Sequence, residues 1–303
     1  MGILEWGFVA AVFTSATPIL FAALAGALSA QAGVFNIALE GQMLWGAFSA
    51  VVGSYLTGSA WAGVLIAIIS TALYSLVLAV GAARFKADPI IIAIGTNLLA
   101  LGLTGFLMRA WFDVSGSFAP RGLAGLGTMP WLADVPILGP VFAGQTALVP
   151  LALVLIVAAG LWLRMTPGGL RLRGVGEHPE AAESLGVSVV SHQLWVTVLA
   201  GGLCGLAGAQ LSLGNVTLFT ENMTAGRGWI AVAAVILVAN KPLWLPLVCL
   251  GFGAAEAIGF RLQGVGAPQQ LTDAAPYAIT VIVLVLTRIR FAKRTMPTMP
   301  TLA

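Results

Sequence analysis

Residues 41–83 read GQMLWGAFSAVVGSYLTGSAWAGVLIAIISTALYSLVLAVGAA and contain no Asp, Glu, Lys or Arg. An α-helix needs about 20 apolar residues to cross the hydrocarbon core of a bilayer, so this stretch is long enough for two crossings. Further runs without a charged residue occupy 6–39, 89–108, 135–163 and 184–220. The charge-free runs therefore predict an all-α, polytopic membrane protein, because none of them shows the alternation typical of a β-barrel.

The composition of the whole chain also indicates a lipid environment. Of its 303 residues, 59% are hydrophobic and only 8% are charged, and the mean hydropathy is +0.99. A soluble domain carries about 25% charged residues, so this chain could not cover a globular surface in water. The net charge of +3 is too small to indicate a nucleic-acid partner. Cys204 and Cys249 lie in apolar runs, and we expect free buried thiols there.

The charge-free runs divide into nine predicted transmembrane segments within a single domain over residues 1–303. These are 8–30, 41–57, 60–83, 89–112, 145–164, 192–213, 227–240, 243–262 and 274–289. Ten of the fourteen Lys and Arg residues then fall on one side of the membrane, which the positive-inside rule assigns to the cytoplasm. This orientation places the C-terminus and a loop at 166–191 in the cytoplasm, and the N-terminus and a loop at 113–144 outside.

Two polar interruptions occupy matching places in the chain. Trp45 aligns with Trp229, 184 residues later, and the surrounding residues predict two weakly repeated, inverted halves. The interruptions lie near residues 36–42 and 215–227. The charge-free run that follows Arg227 has only 13 residues, about 20 Å of helix, which is too short for a core of roughly 30 Å. We therefore predict broken helices at both places, as in transporters whose binding sites are formed by interrupted helices.

Polar and aromatic side chains near these breaks are candidates for the wall of a translocation pathway. They are Asn36, Glu40, Trp45, Asn97, Phe219, Asn222 and Trp229. Polar groups inside a membrane are costly and often functional. A structural role stays open for each of them. Glu40 and Glu221 would then lock the helix breaks, Asn97 would bond to a neighbouring helix, and the aromatic rings would fill space between helices.

The predicted cytoplasmic loop contains the most informative motif. Residues 166–186 read TPGGLRLRGVGEHPEAAESLG. After a flexible, glycine-rich lead, Pro179 is typical of a first helical position and Gly186 of a helix end. We predict an amphipathic helix of about two turns. Its apolar face carries Ala181, Ala182 and Leu185, and its polar face carries Glu180, Glu183 and Ser184. Such a helix outside the membrane can dock into a groove on a partner protein, although an ordinary surface helix has the same pattern.

Three motifs in order resemble those of one transporter family. Glu180-Ala181-Ala182 and Gly186 match the core of the loop by which permeases of ABC importers engage their ATPase. The wider RGVGEHPEAA at 173–182 is similar to the version in permeases for simple sugars, nucleosides and branched-chain amino acids, with His178 where Asn is usual. GVFNIALEGQM at 33–43 and TENMTAGRGWIA at 220–231 resemble the nucleoside type within that group.

The resemblance implies a permease subunit of a bacterial nucleoside-type ABC importer in the inner membrane. Its implied partners are ABC ATPase subunits, a second and longer permease, and an external substrate-binding lipoprotein. The residues implied to contact the ATPase are Glu177, His178, Pro179, Glu180, Ala181, Ala182 and Gly186. ATP and Mg would be bound by the ATPase, because this chain has no Gly-Lys-Ser or Gly-Lys-Thr.

Other functions fit the sequence less well. We expect no catalytic residues, no metal and no cofactor in this chain, and therefore no enzymatic activity of its own. A self-contained secondary transporter would share the broken helices, with Glu40 and Glu221 as the acids available for a coupling ion. An ABC permease for simple sugars or branched-chain amino acids, and a homodimeric permease, also stay open.

Overall fold

The computed structural model describes residues 6–130, 134, 139–238, 244–263 and 278. In chain order its helices are α1 (Trp6–Gln31), α2 (Leu39–Thr57), α3 (Ala60–Tyr74), α4 (Leu76–Ala83), α5 (Pro89–Phe112), α6 (Gly139–Phe142), α7 (Leu148–Met165), α8 (Pro167–Glu177), α9 (Pro179–Ser184), α10 (Val189–Ala209), α11 (Arg227–Val238) and α12 (Leu245–Gln263). Helix α10 continues into a π-helical turn, Gln210–Val216. Two short strands, β1 (Ser117–Phe118) and β2 (Phe219–Thr220), pair antiparallel.

The predicted helical membrane architecture is confirmed in the described residues. Six helical stretches there are long and apolar enough to cross a membrane, namely Trp6–Gln31, Ala60–Ala83, Pro89–Phe112, Leu148–Met165, Val189–Val216 and Leu245–Gln263. Helices α2 and α11 overlap two further predicted segments, and α11 has only 12 residues. The last predicted segment, 274–289, lies outside the described residues except for residue 278. The count of nine crossings and the inverted repeat therefore stay predictions.

Helices α1, α2 and α10 form the centre of the bundle. Every residue of α1 from Ser15 to Ala27 is buried, whereas a helix that touched lipid along one side would expose a stripe. The surrounding helices do expose such stripes. On α3, for example, Leu65, Ile69 and Leu73 are each 60% exposed. We expect these apolar faces to meet lipid or other membrane subunits.

Glycines allow the central helices α2 and α10 to approach each other closely. A Cβ on Gly46 would lie 2.8 Å from the Cα of Gly205, and a Cβ on Gly208 would overlap the backbone nitrogen of Ala47. Such a contact between backbones is possible only where one partner has no side chain. Of the 37 glycines in the chain, those at this helix pair therefore have a direct packing role.

Replacing Gly208 with valine should push α2 and α10 apart and destabilise the bundle by about 1–3 kcal/mol, the usual cost of overpacking. The measurement is the fraction of detergent-solubilised protein that stays monodisperse after heating. Gly251→Val is the matched control, because Gly251 lies inside α12 with nothing within 4 Å of its Cβ position. Equal losses for the two variants would mean that a β-branched residue in the helix, rather than the contact with α2, is responsible.

The loop at 166–191 differs from its prediction in one respect. Residues 167–177, expected to be a flexible lead, form helix α8. The hydroxyl of Thr166 accepts a hydrogen bond from the backbone N–H of Gly169 at 3.1 Å, and Pro167 occupies the first turn, which together favour a helix start. Leu172 and Val175 are buried. This packing outweighs the low helix propensity of the glycines in α8.

The described part of the predicted external loop packs onto one end of the bundle. Strand β1 pairs with β2, so that Ser117 lies opposite Thr220. The N–H of Leu126 donates to the carbonyl of Leu213 at 2.9 Å. These contacts bring the loop after α5 against the segment that leads from α10 to α11, where the second helix break lies.

Candidate functional site

The first helix break lies between α1 and α2 and is stabilised by Asn36. Its side-chain oxygen accepts a hydrogen bond from the N–H of Ala38 at 2.9 Å, and its amide nitrogen donates to Oε1 of Gln42 at 3.3 Å. Asn36 is 3% exposed and Gln42 is fully buried. The break predicted at 36–42 is therefore a buried, hydrogen-bonded turn, and α2 begins within it at Leu39.

Asn97 reaches the same break from α5. Its side-chain oxygen accepts from the N–H of Gly41 at 2.8 Å, and its amide nitrogen donates to the carbonyl of Ile37 at 3.1 Å. The first N–H groups of a helix have no partner within that helix, and Asn97 supplies one for α2. A Cβ on Gly41 would lie 2.7 Å from the Cα of Asn97, so only glycine fits at this crossing. Asn97 therefore bonds to a neighbouring helix, which is the structural role considered for it from the sequence.

Glu40 joins the two helix breaks. Its carboxylate accepts hydrogen bonds from the N–H of Gly226 at 2.8 Å and from the N–H of Gly228 at 2.7 Å. Both donors lie at the start of α11, where the helix dipole favours a negative charge. A Cβ on Gly228 would lie 2.5 Å from the Cα of Glu40, which shows how closely α2 and α11 approach. Through these bonds one carboxylate on α2 caps the short helix of the second half.

The second break leads into α11 through a series of turns. Three successive turn bonds run from Met223 to Thr220, from Ala225 to Asn222 and from Arg227 to Thr224, each from N–H to carbonyl. Asn222 and Ala225 have positive φ angles of 58° and 44°. Conformations of this kind cost energy in residues other than glycine and often occur at functional sites.

An ion pair anchors the start of α11 to α12. Nε of Arg227 donates to Oε1 of Glu256 at 3.0 Å, and one terminal nitrogen of the guanidinium contacts the same oxygen. The other terminal nitrogen donates to the carbonyls of Met223 and Thr224. A charge inside a membrane protein is expected to pair within the bundle, and that rule alone would have suggested a partner for Arg227. Arg261, on the same helix as Glu256, lies over the ring of Phe8.

Glu221 takes a different position from Glu40. It is exposed, its backbone N–H donates to the carbonyl of Gly116 at 2.9 Å, and one side-chain oxygen accepts from the N–H of Gly116 at 3.3 Å. These bonds connect the turn after β2 to the loop before β1. The two acids suggested for a coupling ion therefore have different partners.

The aromatic candidates separate into packed and exposed rings. Trp45 stacks on Tyr74 with centroids 5.3 Å apart, and Phe48 lies between Trp45 and the fully buried Phe219. Trp229 is 45% exposed. The sequence did not identify Phe48, because an apolar residue in an apolar helix gives no distinguishing signal.

Trp45 also lines an open depression of about 380 Å³ between α2 and α3. Its indole N–H donates to the hydroxyl of Ser70 at 2.8 Å.

The predicted pathway residues form two groups in the structure. Asn36, Glu40 and Asn97 surround the start of α2, with Asn222 and Trp229 flanking the start of α11, whereas Trp45 and Phe219 are connected through Phe48.

Helix α9 forms the exposed part of the loop at 166–191. It begins at Pro179 as predicted, and Gly186 follows it with a φ of 78°. Of the predicted apolar face only Ala182 is buried, against Val175 of α8 and Val189 of α10. Leu185 is 82% exposed. A large apolar side chain in this position is available to a partner protein.

Helix α8 contacts the first helix break directly. Gly176 packs against Gly33 and the carbonyl of Gln31, and a Cβ on Gly176 would overlap that carbonyl. The amide nitrogen of Gln193, on α10, donates to the carbonyl of Ala32 at 3.2 Å. The loop that carries α9 is therefore in contact with the segment from which α2 starts.

Within the described residues there is no group of three or more His, Cys, Asp or Glu side chains placed to hold a metal ion. The polar contacts of the candidate residues are hydrogen bonds and one ion pair between helices and turns. This arrangement can hold the starts of α2 and α11 in fixed positions.

The fold is that of a helical membrane protein, and comparison with protein families identifies its family. Residues 8–284 match the family described as "Branched-chain amino acid transport system / permease component". The chain belongs to this family of ABC transporter permeases, whose members are the non-enzymatic membrane components of their systems. The family resemblance seen in the sequence motifs is thereby confirmed.

Individual relatives match over most of the chain. The chain is 34% identical over 294 residues to the nucleoside ABC transporter permease protein NupC of Lactococcus lactis, covering 92% of this chain and 91% of NupC. It is 32% identical over 294 residues to the guanosine ABC transporter permease protein NupQ of Bacillus subtilis, covering 91% and 90%. A chain of PsaBC from Streptococcus pneumoniae shares the fold, with a TM-score of 0.52, 13% identity and coverage of 93% and 92%.

Proposed function

We propose that the chain is the permease subunit of an ATP-driven importer and forms half of a translocation pathway for nucleosides or related compounds. The observation that carries this proposal is the similarity to NupC, which extends over 92% of the chain. NupQ is named as a guanosine permease, and guanosine is a nucleoside. The three sequence motifs of the nucleoside type agree with these relatives.

The loop at 166–191 is the proposed contact with ABC ATPase subunits, which would bind ATP and Mg. Its support is the exposure of Glu180, Ala181 and Leu185 on α9. Movement of α9 would reach the start of α2 through the contact between Gly176 and Gly33. Glu40 would pass it on to α11, because its carboxylate holds the first N–H groups of that helix.

A second permease subunit would complete the pathway on the exposed side of α5. Gly95 and Gly102 lie on this side with nothing within 4 Å of their Cβ positions, and Leu98 between them is 64% exposed. Small residues on an exposed face allow a helix of another subunit to approach closely. Asn97 connects this helix to the first break, which would place the break beside the pathway.

The remaining partners follow from the proposed orientation in the bacterial inner membrane, with the N-terminus outside and the C-terminus in the cytoplasm. An external substrate-binding lipoprotein would deliver the nucleoside to the end of the bundle where β1 and β2 pair. Glu221 and Asn222 are exposed there. The substrate would then pass Trp229, the exposed aromatic ring at the start of α11.

Reconstitution tests the proposed function. Liposomes containing this chain, a second permease, the ATPase and the binding protein should take up labelled guanosine only when ATP is enclosed with the ATPase. Labelled ribose and leucine test the sugar and branched-chain amino-acid alternatives in the same vesicles. Uptake by this chain alone and without ATP would instead support a secondary transporter. Preferential uptake of ribose or leucine would overturn the assignment of the substrate.

Cysteine labelling tests the proposed pathway residues one at a time. In a background where Cys204 and Cys249, both buried, are replaced by alanine, cysteines at Asn97, Asn222 and Trp229 should react with a membrane-impermeant thiol reagent. Substrate and binding protein should slow the reaction several-fold. Leu65→Cys is the control, since Leu65 is 60% exposed on the apolar face of α3 and we expect lipid to shield it. Unreactive cysteines in every state of the transport cycle would contradict the pathway.

A further inference from the structure

Helix α10 ends in a buried turn of an uncommon type. Residues Gln210–Val216 form a π-helical turn, in which N–H groups bond to carbonyls five residues earlier rather than four. The N–H of Thr217 closes the turn on the carbonyl of Ser212, and Thr217 has a positive φ of 53°. A π turn holds one residue more than the α-helical turn it replaces, and such turns are frequent at functional sites. The π turn therefore determines where the chain leaves α10.

The side chain of Gln210 spans the π turn. Its amide nitrogen donates to Oδ1 of Asn215 at 2.9 Å. Around an α-helix, side chains five residues apart point about 140° away from each other, so this bond could not form there. In a π-helix five residues complete roughly one turn, and the two side chains lie on the same side. The bond between Gln210 and Asn215 is therefore specific to the π form.

The other end of the Gln210 amide is anchored outside α10. Its Oε1 accepts a hydrogen bond at 2.7 Å from the hydroxyl of Thr146, two residues before α7 begins. Gln210 is 1% exposed and Thr146 is 5% exposed. In a buried, low-dielectric environment a hydrogen bond is electrostatically stronger than in water. Gln210 thus fastens the π turn to the start of α7.

Gly214 provides the space that the Gln210 amide occupies. A Cβ on Gly214 would lie 2.7 Å from Oε1 and 2.9 Å from Nε2 of Gln210. Any other residue at this position would push the amide away from Thr146 and Asn215. The stretch QLSLGN therefore combines the amide, the space for it and its acceptor within a single turn.

We propose that Gln210 is a positioning residue for transport, because it keeps residues 210–216 in the π form and thereby sets the register of residues 217–222. That segment includes β2 and, in the proposed function on which this inference rests, Glu221 and Asn222 at the outer end of the pathway. Without the bonds of Gln210 the turn would become an α-helix and the following chain would shift by one residue. A shift of one residue turns every side chain of a strand to the opposite face, so β2 would lose its pairing with β1.

Disulfide trapping between β1 and β2 measures this register. Ser117 lies directly opposite Thr220, and Cα atoms of opposite residues in an antiparallel pair are about 4.5–5.5 Å apart, within the range of a disulfide. With cysteines at both positions, and with the buried Cys204 and Cys249 replaced by alanine, mild oxidation should cross-link the folded protein. Gln210→Met keeps the length of the side chain and removes the amide, and it should reduce the cross-linked fraction several-fold.

Further variants test the same contacts without changing Gln210, so a Gln210→Met protein that fails to fold does not end the test. Thr146→Val removes one bond and should also lower the cross-linked fraction, whereas Thr146→Ser keeps the hydroxyl and should retain it. Gly214→Ala should act like Gln210→Met. Ser212→Ala is the matched control, because Ser212 is buried in the same turn but its hydroxyl bonds to the carbonyl of Gly208 on its own helix.

Uptake of labelled guanosine by the reconstituted transporter is the second measurement. Gln210→Met should lower the rate several-fold, and Ser212→Ala should leave it unchanged. If folded Gln210→Met and Gly214→Ala proteins cross-link like the wild type, Gln210 adds stability only and the proposal is overturned. Normal uptake by a variant that no longer cross-links would overturn it as well. Cross-linking needs no substrate, so a wild type that takes up no guanosine would contradict the proposed function and leave the register result intact.

Discussion

Replacing Leu185 with aspartate should abolish ATP-dependent uptake while the helix bundle stays folded. Leu185 is 82% exposed at the end of α9, so its side chain contributes little to the stability of this chain. In a docked complex the same side chain would be buried. An aspartate there would have to be desolvated without a partner. Loss of a central apolar contact typically costs about 2–4 kcal/mol in an interface, which weakens binding roughly 30- to 1,000-fold.

The measurement is co-purification of the ATPase with the tagged permease, together with the temperature at which the permease aggregates. Phe85→Asp is the control, because Phe85 is 73% exposed on the side of the membrane predicted to be cytoplasmic but far from α9 in sequence. The control should retain the ATPase. If Leu185→Asp retained it too, α9 would be an ordinary surface helix, the alternative that its sequence allows.

Ala182 belongs to a different part of the same motif. It is 8% exposed and packs with Val175 and Val189. A bulky residue at this position would move α9 relative to α8 and α10. We therefore expect it to change both stability and the proposed docking, whereas substitutions at the exposed Glu180 or Leu185 should affect docking alone. The sequence placed Ala182 and Leu185 on one apolar face, and only the structure separates the residue that packs from the residue that is presented.

The helices were predictable because their signal is local. Within the hydrocarbon core a helix makes all of its backbone hydrogen bonds internally. A sufficiently long apolar run therefore predicts a membrane-spanning helix without reference to the rest of the chain. The same holds for the ends of α9, since Pro179 and Gly186 determine them through their own backbone preferences. The polar residues 36–42 interrupt an apolar run, and the structure places the connection between α1 and α2 at this point; a broken membrane-spanning helix there stays a prediction.

The partners of the polar residues were not predictable in this way. Glu40 bonds to Gly226 and Gly228, which are 186 and 188 residues away in the chain. No local pattern specifies that contact, which arises from the packing of α2 beside α11. The pairing of β1 with β2 is also long-range, and strands of two residues have no detectable alternation. For α8, buried Leu172 and Val175 outweighed glycines that had indicated a flexible segment.

Glu40→Ala should destabilise the bundle strongly. It would leave the N–H groups of Gly226 and Gly228 without the acceptor they have now. An unpaired buried donor costs about 1–3 kcal/mol, and the favourable charge at the start of α11 adds up to about 2 kcal/mol. We expect a total loss of about 3–5 kcal/mol, and loss of uptake because α11 would no longer be held against α2.

Comparison of two further variants separates the charge from the hydrogen bonds. Glu40→Gln keeps one oxygen acceptor and removes the charge, so it should lose about half as much stability as Glu40→Ala. Glu221→Ala is the control, since Glu221 is exposed and its side chain makes one bond, of 3.3 Å; it should change stability by less than about 0.5 kcal/mol. The temperatures at which the three purified variants aggregate give the order of their stabilities. If Glu40→Ala were as stable as Glu221→Ala but failed to transport, Glu40 would act on the substrate rather than on the position of α11.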